Sequence, residues 1–333
     1  MKKKHYIILF STMFLLVLFV TSFVFYGIRN ALTNVDQNTG IIIPDREPVY
    51  HFAMICENVD DPFWLSIKKG VERASKEFNV AVEFNGPNVA NIEEQRKYLD
   101  IAIASKVDGI VTYVWDEKET GQLIDRGINR GIPVVTVGTD AKTSMRAAFV
   151  GVNTYDSGVH LGRMLIAATG DQGEAAILVS NNQIGGRLAQ GLLVSGIRDA
   201  VSNYPEINIK TIEYNNLLDL EDVIKNLLAN KPNLDTIICT AARDTTVVTE
   251  RLIDLNRVGY NIIGYGDSPE MLRYIDKGVI FGTVTADLEQ MGYDTIRALM
   301  DIKEKGRTSA YFKVDTRLIT KENISEYLES GED

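Results

Sequence analysis

Eight consecutive residues concentrate polar and aromatic chemistry in this chain: Glu57-Asn58-Val59-Asp60-Asp61-Pro62-Phe63-Trp64. The side-chain oxygens of Glu57, Asn58, Asp60 and Asp61 can accept hydrogen bonds from hydroxyls. The adjoining rings of Phe63 and Trp64 can lie against the C–H faces of a pyranose. A plainer use of the same residues is structural, with Asp61 as a helix N-cap, Pro62 as the first helical residue and both rings in the core. The flanks say what must hold the stretch. An apolar run, Phe52 to Cys56, precedes it and reads as a buried strand. Leu65, Ile67, Val71 and Ala74 follow at the spacing of one helix face. The stretch is therefore a strand-to-helix turn at the carboxyl end of a strand, where open α/β sheets line their ligand crevice.

The rest of the chain repeats that unit. Strands are expected at 50–56, 80–85, 108–114, 133–138 and 147–151, with helices at 62–78, 91–105 and 117–130 between them. A second series follows: a helix at 155–169, then strands at 174–180, 207–213, 234–240, 261–265 and 279–285. Its other helices are expected at 186–203, 219–230, 244–257 and 269–277, followed by a long helix at 287–305 and a last strand from Phe312 to Ile319. Alternating strands and helices imply parallel sheets covered on both faces. Two series of similar size imply two lobes with the ligand crevice between them.

The first 28 residues are different in kind. Tyr6 to Ile28 is an uncharged, mostly apolar run of 23 residues, long enough to cross a bilayer. Lys2, Lys3 and Lys4 precede it, so the positive-inside rule places the N-terminus in the cytoplasm and the remainder outside. A cleaved signal peptide is the alternative, but Gly27-Ile28-Arg29 and Ala31-Leu32-Thr33 are poor cleavage sites. An uncleaved transmembrane anchor is the expectation, with 29–47 as an extracytoplasmic tether. The chain of 333 residues has a net charge of -10, and its first 47 residues hold five of the 35 basic side chains. An acidic domain without a basic patch excludes nucleic acid as a natural partner. Cys56 and Cys239 lie in separate apolar runs and read as buried thiols rather than a disulfide. His5, His51 and His160 have no metal-ligand spacing. No cofactor is expected.

Six phrases, in order, resemble the ribose- and galactose-type periplasmic sugar-binding proteins over about residues 49–320. They are Asp60-Asp61-Pro62-Phe63-Trp64, Asp108-Gly109-Ile110-Val111, Gly131-Ile132-Pro133-Val134-Val135, Gly264 to Glu270, Lys277-Gly278-Val279-Ile280 and Gln290-Met291-Gly292. That family shares its fold with the ligand-binding half of lac-repressor-like regulators, but a membrane segment stands here in place of a helix-turn-helix. The resemblance implies two Rossmann-like lobes joined by three hinge segments. The first lobe would comprise 48–152 and 287–311, the second 153–286 and 312–333.

The resemblance also implies ligand contacts. Asp61, with Asn58 beside it, matches a polar residue that bonds sugar hydroxyls, and Phe63 and Trp64 match stacking aromatics. Arg187 matches an arginine reaching across from the second lobe, in one of two possible registers. Tyr214 or Asn215 falls where another aromatic is expected. Several positions are altered. Gly138 and Gly266 stand where acids are expected, with Asp140 and Asp267 just after them. Ala242 and Ala286 replace an expected Asn and Gln, beside Asp244 and Asp287. Either the acids are displaced but still serve the cleft and recognise a different sugar, or the cleft has lost sugar contacts and binds something else, or nothing. The first reading makes Asp140 and Asp267 ligand residues. The bland alternative makes both turn or cap residues.

The expected function is reversible binding of a small sugar outside the membrane, feeding an ABC permease. Presentation of the closed form to a membrane histidine kinase of a two-component system is the alternative. Enzymatic chemistry is not expected, since there is no nucleophile elbow, P-loop or dinucleotide fingerprint.

Overall fold

The alternation of side chains along one strand explains why each sheet is covered twice. In β2 (Tyr50–Ile55), Phe52 and Met54 enter one apolar cluster while Ala53 and Ile55 enter another on the opposite face. All four are fully buried. A strand buried on both faces needs helices on both sides. The computed structural model describes residues 40–181, 186–230, 233–257 and 259–328, without the side chains of 186–188.

The first sheet has seven strands in the order β1-β3-β2-β4-β5-β6-β12. Its parallel centre consists of β2, β3 (Val80–Asn85), β4 (Gly109–Thr112), β5 (Val134–Val137) and β6 (Ala148–Val152). Helix α1 (Pro62–Phe78) covers one face together with the late helix α9 (Leu288–Lys305). Helices α2 (Ile92–Ser105) and α3 (Glu117–Asn129) cover the other. The short strand β1 (Ile41–Ile42) pairs antiparallel with β3 at one edge, and β12 (Tyr311–Val314) pairs parallel with β6 at the other.

The second sheet has six strands in the order β13-β11-β10-β9-β7-β8. It contains β7 (Gln172–Ser180), β8 (Glu206–Tyr214), β9 (Thr236–Cys239), β10 (Asn261–Tyr265), β11 (Gly282–Ala286) and the antiparallel β13 (Thr316–Thr320). Helices α4 (Thr154–Thr169) and α5 (Gly186–Ala200) pack on one face through Leu161, Leu165 and Ile197. Helices α6 (Leu217–Asn230), α7 (Ala242–Asp254) and α8 (Pro269–Asp276) pack on the other through Ile224, Val248 and Ile275. A short helix, α10 (Ser325–Leu328), follows.

The crossings between sheets orient the crevice. The chain leaves the first sheet after Val152, returns after Ala286 and leaves again after Val314. Each departure is from the carboxyl end of a parallel strand, so the carboxyl ends of both sheets face each other. All three crossings sit at the β6/β12 edge of one sheet and the β11/β13 edge of the other. The β1/β3 and β8 edges are therefore the far, open side of the crevice.

Two expectations are corrected. The strand expected from Phe312 to Ile319 is two strands on different sheets, because β12 pairs with β6 and β13 with β11. The passage falls at Asp315, whose carbonyl accepts from the Asp287 N–H at 3.2 Å. Part of the expected tether is also structured. Ile41 and Ile42 add to the sheet, and Ile42 is buried in the core. The expected membrane span, 6–28, lies outside the described residues; among those described, no helix is long and apolar enough to cross a membrane.

Candidate functional site

The first-lobe wall is built from the ends of β2, β4 and β5. Asp61 caps α1 by accepting the Phe63 N–H at 2.8 Å, which fixes where the two rings point. Phe63 is half-buried and meets Trp64 edge to face at 5.3 Å; Trp64 meets Tyr113 in the same way at 5.7 Å. The ring tip of Phe63 lies 3.7 Å from where a Cβ on Gly138 would be, and Tyr113 lies 3.9 Å from it. Phe63, Tyr113 and Gly138 thus converge from three strand ends. Thr139 ties two of these ends together, accepting from the Val114 N–H at 3.0 Å and donating to the Val114 carbonyl at 2.8 Å. Glu57, at the end of β2, is raised above the usual carboxylate range by its burial and by the neighbouring charge of Asp61. The half-buried Trp115 has a buried indole N–H without a hydrogen-bond partner.

The second-lobe wall is richer in acids. Asp267, half-buried after β10, is pushed up by burial and partly held down by a hydrogen bond from Thr285 and by the charge of Arg317. Arg317 bonds Asp287, the N-cap of α9, so this corner reaches the crossings. Asp244 is buried at the start of α7, and burial raises its proton affinity. The Tyr214 hydroxyl lies close enough to Asp244 for the two to perturb each other. The strict hydrogen-bond geometry is not met, and the Tyr214 hydroxyl and Asp244 Oδ2 are both buried and unsatisfied. They are proximal rather than bonded.

Gly138 and Gly266 occupy equivalent places. Each lies one residue beyond a strand and donates its N–H to the adjacent strand, to Val150 at 2.9 Å and to Val284 at 2.8 Å. Each has a positive φ, +72° and +101°, a conformation that side chains with a Cβ rarely adopt.

The periplasmic binding protein domain family matches residues 52–307 of the chain. Among solved structures, a glucose-galactose binding protein, GanP, from Geobacillus stearothermophilus is 33% identical, with a TM-score of 0.75, over 84% of this chain and 99% of that one. XylFII in the XylFII-LytSN complex is 30% identical, with a TM-score of 0.71, over 84% of this chain and 99% of that one. The D-allose-binding periplasmic protein of Escherichia coli (strain K12) is 22% identical over 81% of this chain and 91% of that protein. The chain belongs to the periplasmic binding protein family. Within it, the chain is of the sugar-binding, ribose/galactose type, as the six phrases implied. The family binds solutes and is not a family of enzymes.

With the family in hand, the expected contacts divide. Phe63 and Asp267 are half-buried at facing strand ends. Trp64 is corrected: it is 1% exposed and packed in the first-lobe core, so it has no free face for a sugar. Asp140 is corrected as well. Arg146 grips both its oxygens, one at 2.7 Å, and Thr136 donates to it at 3.1 Å, so most of its accepting capacity is used within the lobe. Tyr214 is 3% exposed and belongs to the second-lobe core. Asn58 closes a local turn, accepting the Asp60 N–H at 2.9 Å. Asn215 bonds Asp219 and Asn181 at the rim. Arg187 lies on α5, with its side chain outside the described residues. Sequence reasoning passed over Glu57 and Tyr113 as individual site residues. The sign available for Glu57 was its place as the first polar residue after a buried strand. A shallow depression of about 330 Å³ beside Glu117, Asp125, Thr143 and Ser144 is not a rival site, because Glu117 and Asp125 are bonded to Thr143 and Met145.

Proposed function

We propose that this protein is a membrane-tethered extracytoplasmic receptor that closes on one small sugar and presents the closed form to a membrane histidine kinase. The observation that carries the sugar reading is the pairing of walls: the Phe63 ring beside Gly138 on one lobe, and the half-buried carboxylate of Asp267 on the other. The ring supplies an apolar face for C–H groups. Asp267 and Glu57 accept from hydroxyls, each such charged hydrogen bond contributing about 1.5–3 kcal/mol. Asp61, Asn58 and Asn215 are further polar groups offered to the ligand, and Arg187 joins them on the strength of the resemblance alone. An analogue without the matching hydroxyls leaves these groups unpaired and is rejected.

Two observations support presentation to a kinase. XylFII, similar over most of this chain, forms a complex with a second protein, LytSN. The uncharged run Tyr6–Ile28 supplies an anchor that would hold the receptor beside a membrane partner. Calorimetry of the full chain in lipid nanodiscs against pentoses, hexoses and polyols tests the binding. Sequencing the neighbouring genes and adding any histidine kinase they encode tests the signalling. The expected result is one preferred sugar that changes kinase autophosphorylation. A bound sugar with no effect on the kinase, together with lost uptake of that sugar on gene deletion, would return the protein to delivery for an ABC permease.

A further inference from the structure

The third crossing is the short run Lys313-Val314-Asp315-Thr316-Arg317, and its two cations stand on different lobes. Lys313 is on β12, beside Gly151 of β6 in the first sheet; Arg317 is on β13, beside Thr285 of β11 in the second. Each reaches an acid that belongs to another crossing. Lys313 Nζ donates to Asp156 Oδ2 at 2.5 Å, and Asp156 is in the first turn of α4, just past the first crossing. Arg317 bonds Asp287, which caps α9 at the second crossing by accepting the Gln290 N–H at 2.9 Å. The Asp287 N–H donates in turn to the Asp315 carbonyl. Lys313 and Asp156 are therefore on opposite lobes, and so are Arg317 and the helix that Asp287 caps.

Both cationic side chains are half exposed, and exposed pairs stabilise a fold little. Their place at the hinge gives them another use. Ion pairs inside one lobe, such as Arg126 with Asp100 and Lys303 with Asp108, are indifferent to a turn of the lobes. A pair that spans the hinge is not. Already at hydrogen-bond distance, it cannot shorten, so a turn away from this arrangement keeps or lengthens it. This arrangement is the open one, because solvent reaches both walls: Phe63 and Asp267 are half-buried, and Asp61 and Asn215 are exposed. The pairs thus weigh on the open side of a shallow equilibrium, where small contributions decide the populations.

We infer that Lys313 and Arg317 form an electrostatic latch across the hinge, which holds the unliganded crevice open through Asp156 and Asp287 and so sets ligand affinity from outside the cleft. The latch itself needs only the two-lobe hinge; its consequence for sugar rests on the functional reading above. A sugar that closes the lobes must also loosen the latch, so its apparent affinity scales with the fraction of chains free to close. Salt screens exposed pairs. Ionic strength therefore tunes the affinity of even an uncharged sugar.

The test uses no sugar, so its failure is separate from failure of the sugar reading. The full chain in lipid nanodiscs carries a nitroxide at Val89→Cys; Cys56 and Cys239 are fully buried and stay unlabelled. Val89, 77% exposed after β3, and Leu218, 75% exposed after β8, lie on opposite lobes far from the crossings. Paramagnetic relaxation of the Leu218 methyl groups, weighted steeply toward close approach, registers even a sparse closed form. Ile101, exposed on α2 in the labelled lobe, is the fixed reference. At about 0.05 M NaCl the Lys313→Gln/Arg317→Gln variant is expected to show at least about a twofold rise at Leu218 and none at Ile101. Wild type should show the same rise on transfer to about 1 M NaCl, where the screening length falls to about 3 Å, and the variant should gain little more. Lys303→Gln/Arg126→Gln, which removes two pairs inside the first lobe, should behave as wild type. An unchanged Leu218 signal in the latch variant overturns the proposal, and so does a fall, which would mean that the pairs favour closure. An equal rise in the Lys303→Gln/Arg126→Gln variant overturns it too, because net charge rather than the latch would then govern the lobes. The salt response of wild type needs no substitution, so its absence overturns the latch even where a variant fails to fold.

Discussion

The two lobes share a plan and differ in the chemistry at their facing ends. Each is a parallel sheet between helix layers, and each ends its equivalent strand in a glycine of positive φ, Gly138 or Gly266. The first lobe backs its glycine with rings: Phe63, Trp64 and Tyr113 stack edge to face behind it. The second backs its glycine with Asp267, near Thr285, Arg317 and Asp287. The acid after each glycine then meets a different fate. Asp140 is held by Arg146, whereas Arg317, whose charge acts on Asp267, is exposed and already bonded to Asp287. A shared backbone device thus presents an apolar wall on one side and an accepting wall on the other.

The neighbouring rings Phe63 and Trp64 test this most strongly. Trp64→Ala should cost about 3–5 kcal/mol of stability, because it empties a fully buried site. Chemical denaturation followed by circular dichroism measures that loss. Phe63→Ala should do the reverse, with sugar affinity falling at least tenfold, about 1.4 kcal/mol, while the unfolding midpoint moves little. Equal stability losses would dissolve the distinction between core and wall.

The displaced acids sharpen the comparison next. Asp140→Asn breaks a carboxylate–guanidinium pair whose side chains are only 9% and 16% exposed. A loss of about 3 kcal/mol in unfolding free energy is expected, with affinity for sugar retained. Asp267→Asn should instead lower affinity about tenfold by calorimetry and leave folding intact. If both variants lose only stability, Asp267 belongs with Asp140 as a structural acid and the accepting wall lies elsewhere.

Much of this was legible in the sequence, for reasons visible in particular residues. Strand β2 and helix α1 were readable because Phe52 to Cys56 is uniformly apolar and Pro62 follows a capping Asp61. The break at Asp315 was not, because alternating side chains continue from Tyr311 to Thr320 whichever sheet they join. β1 was missed because three consecutive isoleucines, Ile41 to Ile43, in a polar segment carry no period. The roles of Trp64 and Asp140 were illegible because each depends on a partner brought close by folding, Tyr113 for one and Arg146 for the other. Spacing along the chain predicts which turn a residue occupies, but not which way its side chain is spent.

The two glycines offer a smaller, graded test. Alanine at either position must adopt an unfavourable φ, which costs about 1 kcal/mol or more. The surroundings then separate them. A Cβ at Gly138 would meet Phe63 at an ordinary 3.7 Å, whereas one at Gly266 would sit 2.7 Å from the Ala242 Cβ. Gly266→Ala should therefore lower the melting temperature more than Gly138→Ala, as read by scanning calorimetry. The reverse order would mean that the aromatic wall is the less yielding of the two.

The smallest effect expected is in pH dependence, where both walls should respond in the same sense. Glu57 in the first lobe and Asp244 and Asp267 in the second are all raised from their ordinary values, chiefly by burial. In the window between the ordinary carboxylate value, about 4, and each raised value, the folded chain holds more protons than the unfolded one. Stability contributed by these groups is thus fully present at the acid end and declines as pH rises through the raised values. A sugar that donates hydroxyls to the same carboxylates favours their ionised form, so affinity should climb over the window in which unliganded stability falls. Melting temperatures with and without sugar, taken across pH 4 to pH 7, should therefore diverge as pH rises. Glu57→Gln should shrink that divergence and leave the part due to Asp267; the Glu57→Gln/Asp267→Asn pair should nearly abolish it. If the divergence survives in the pair, the acids that meet the sugar are not the ones the two walls present.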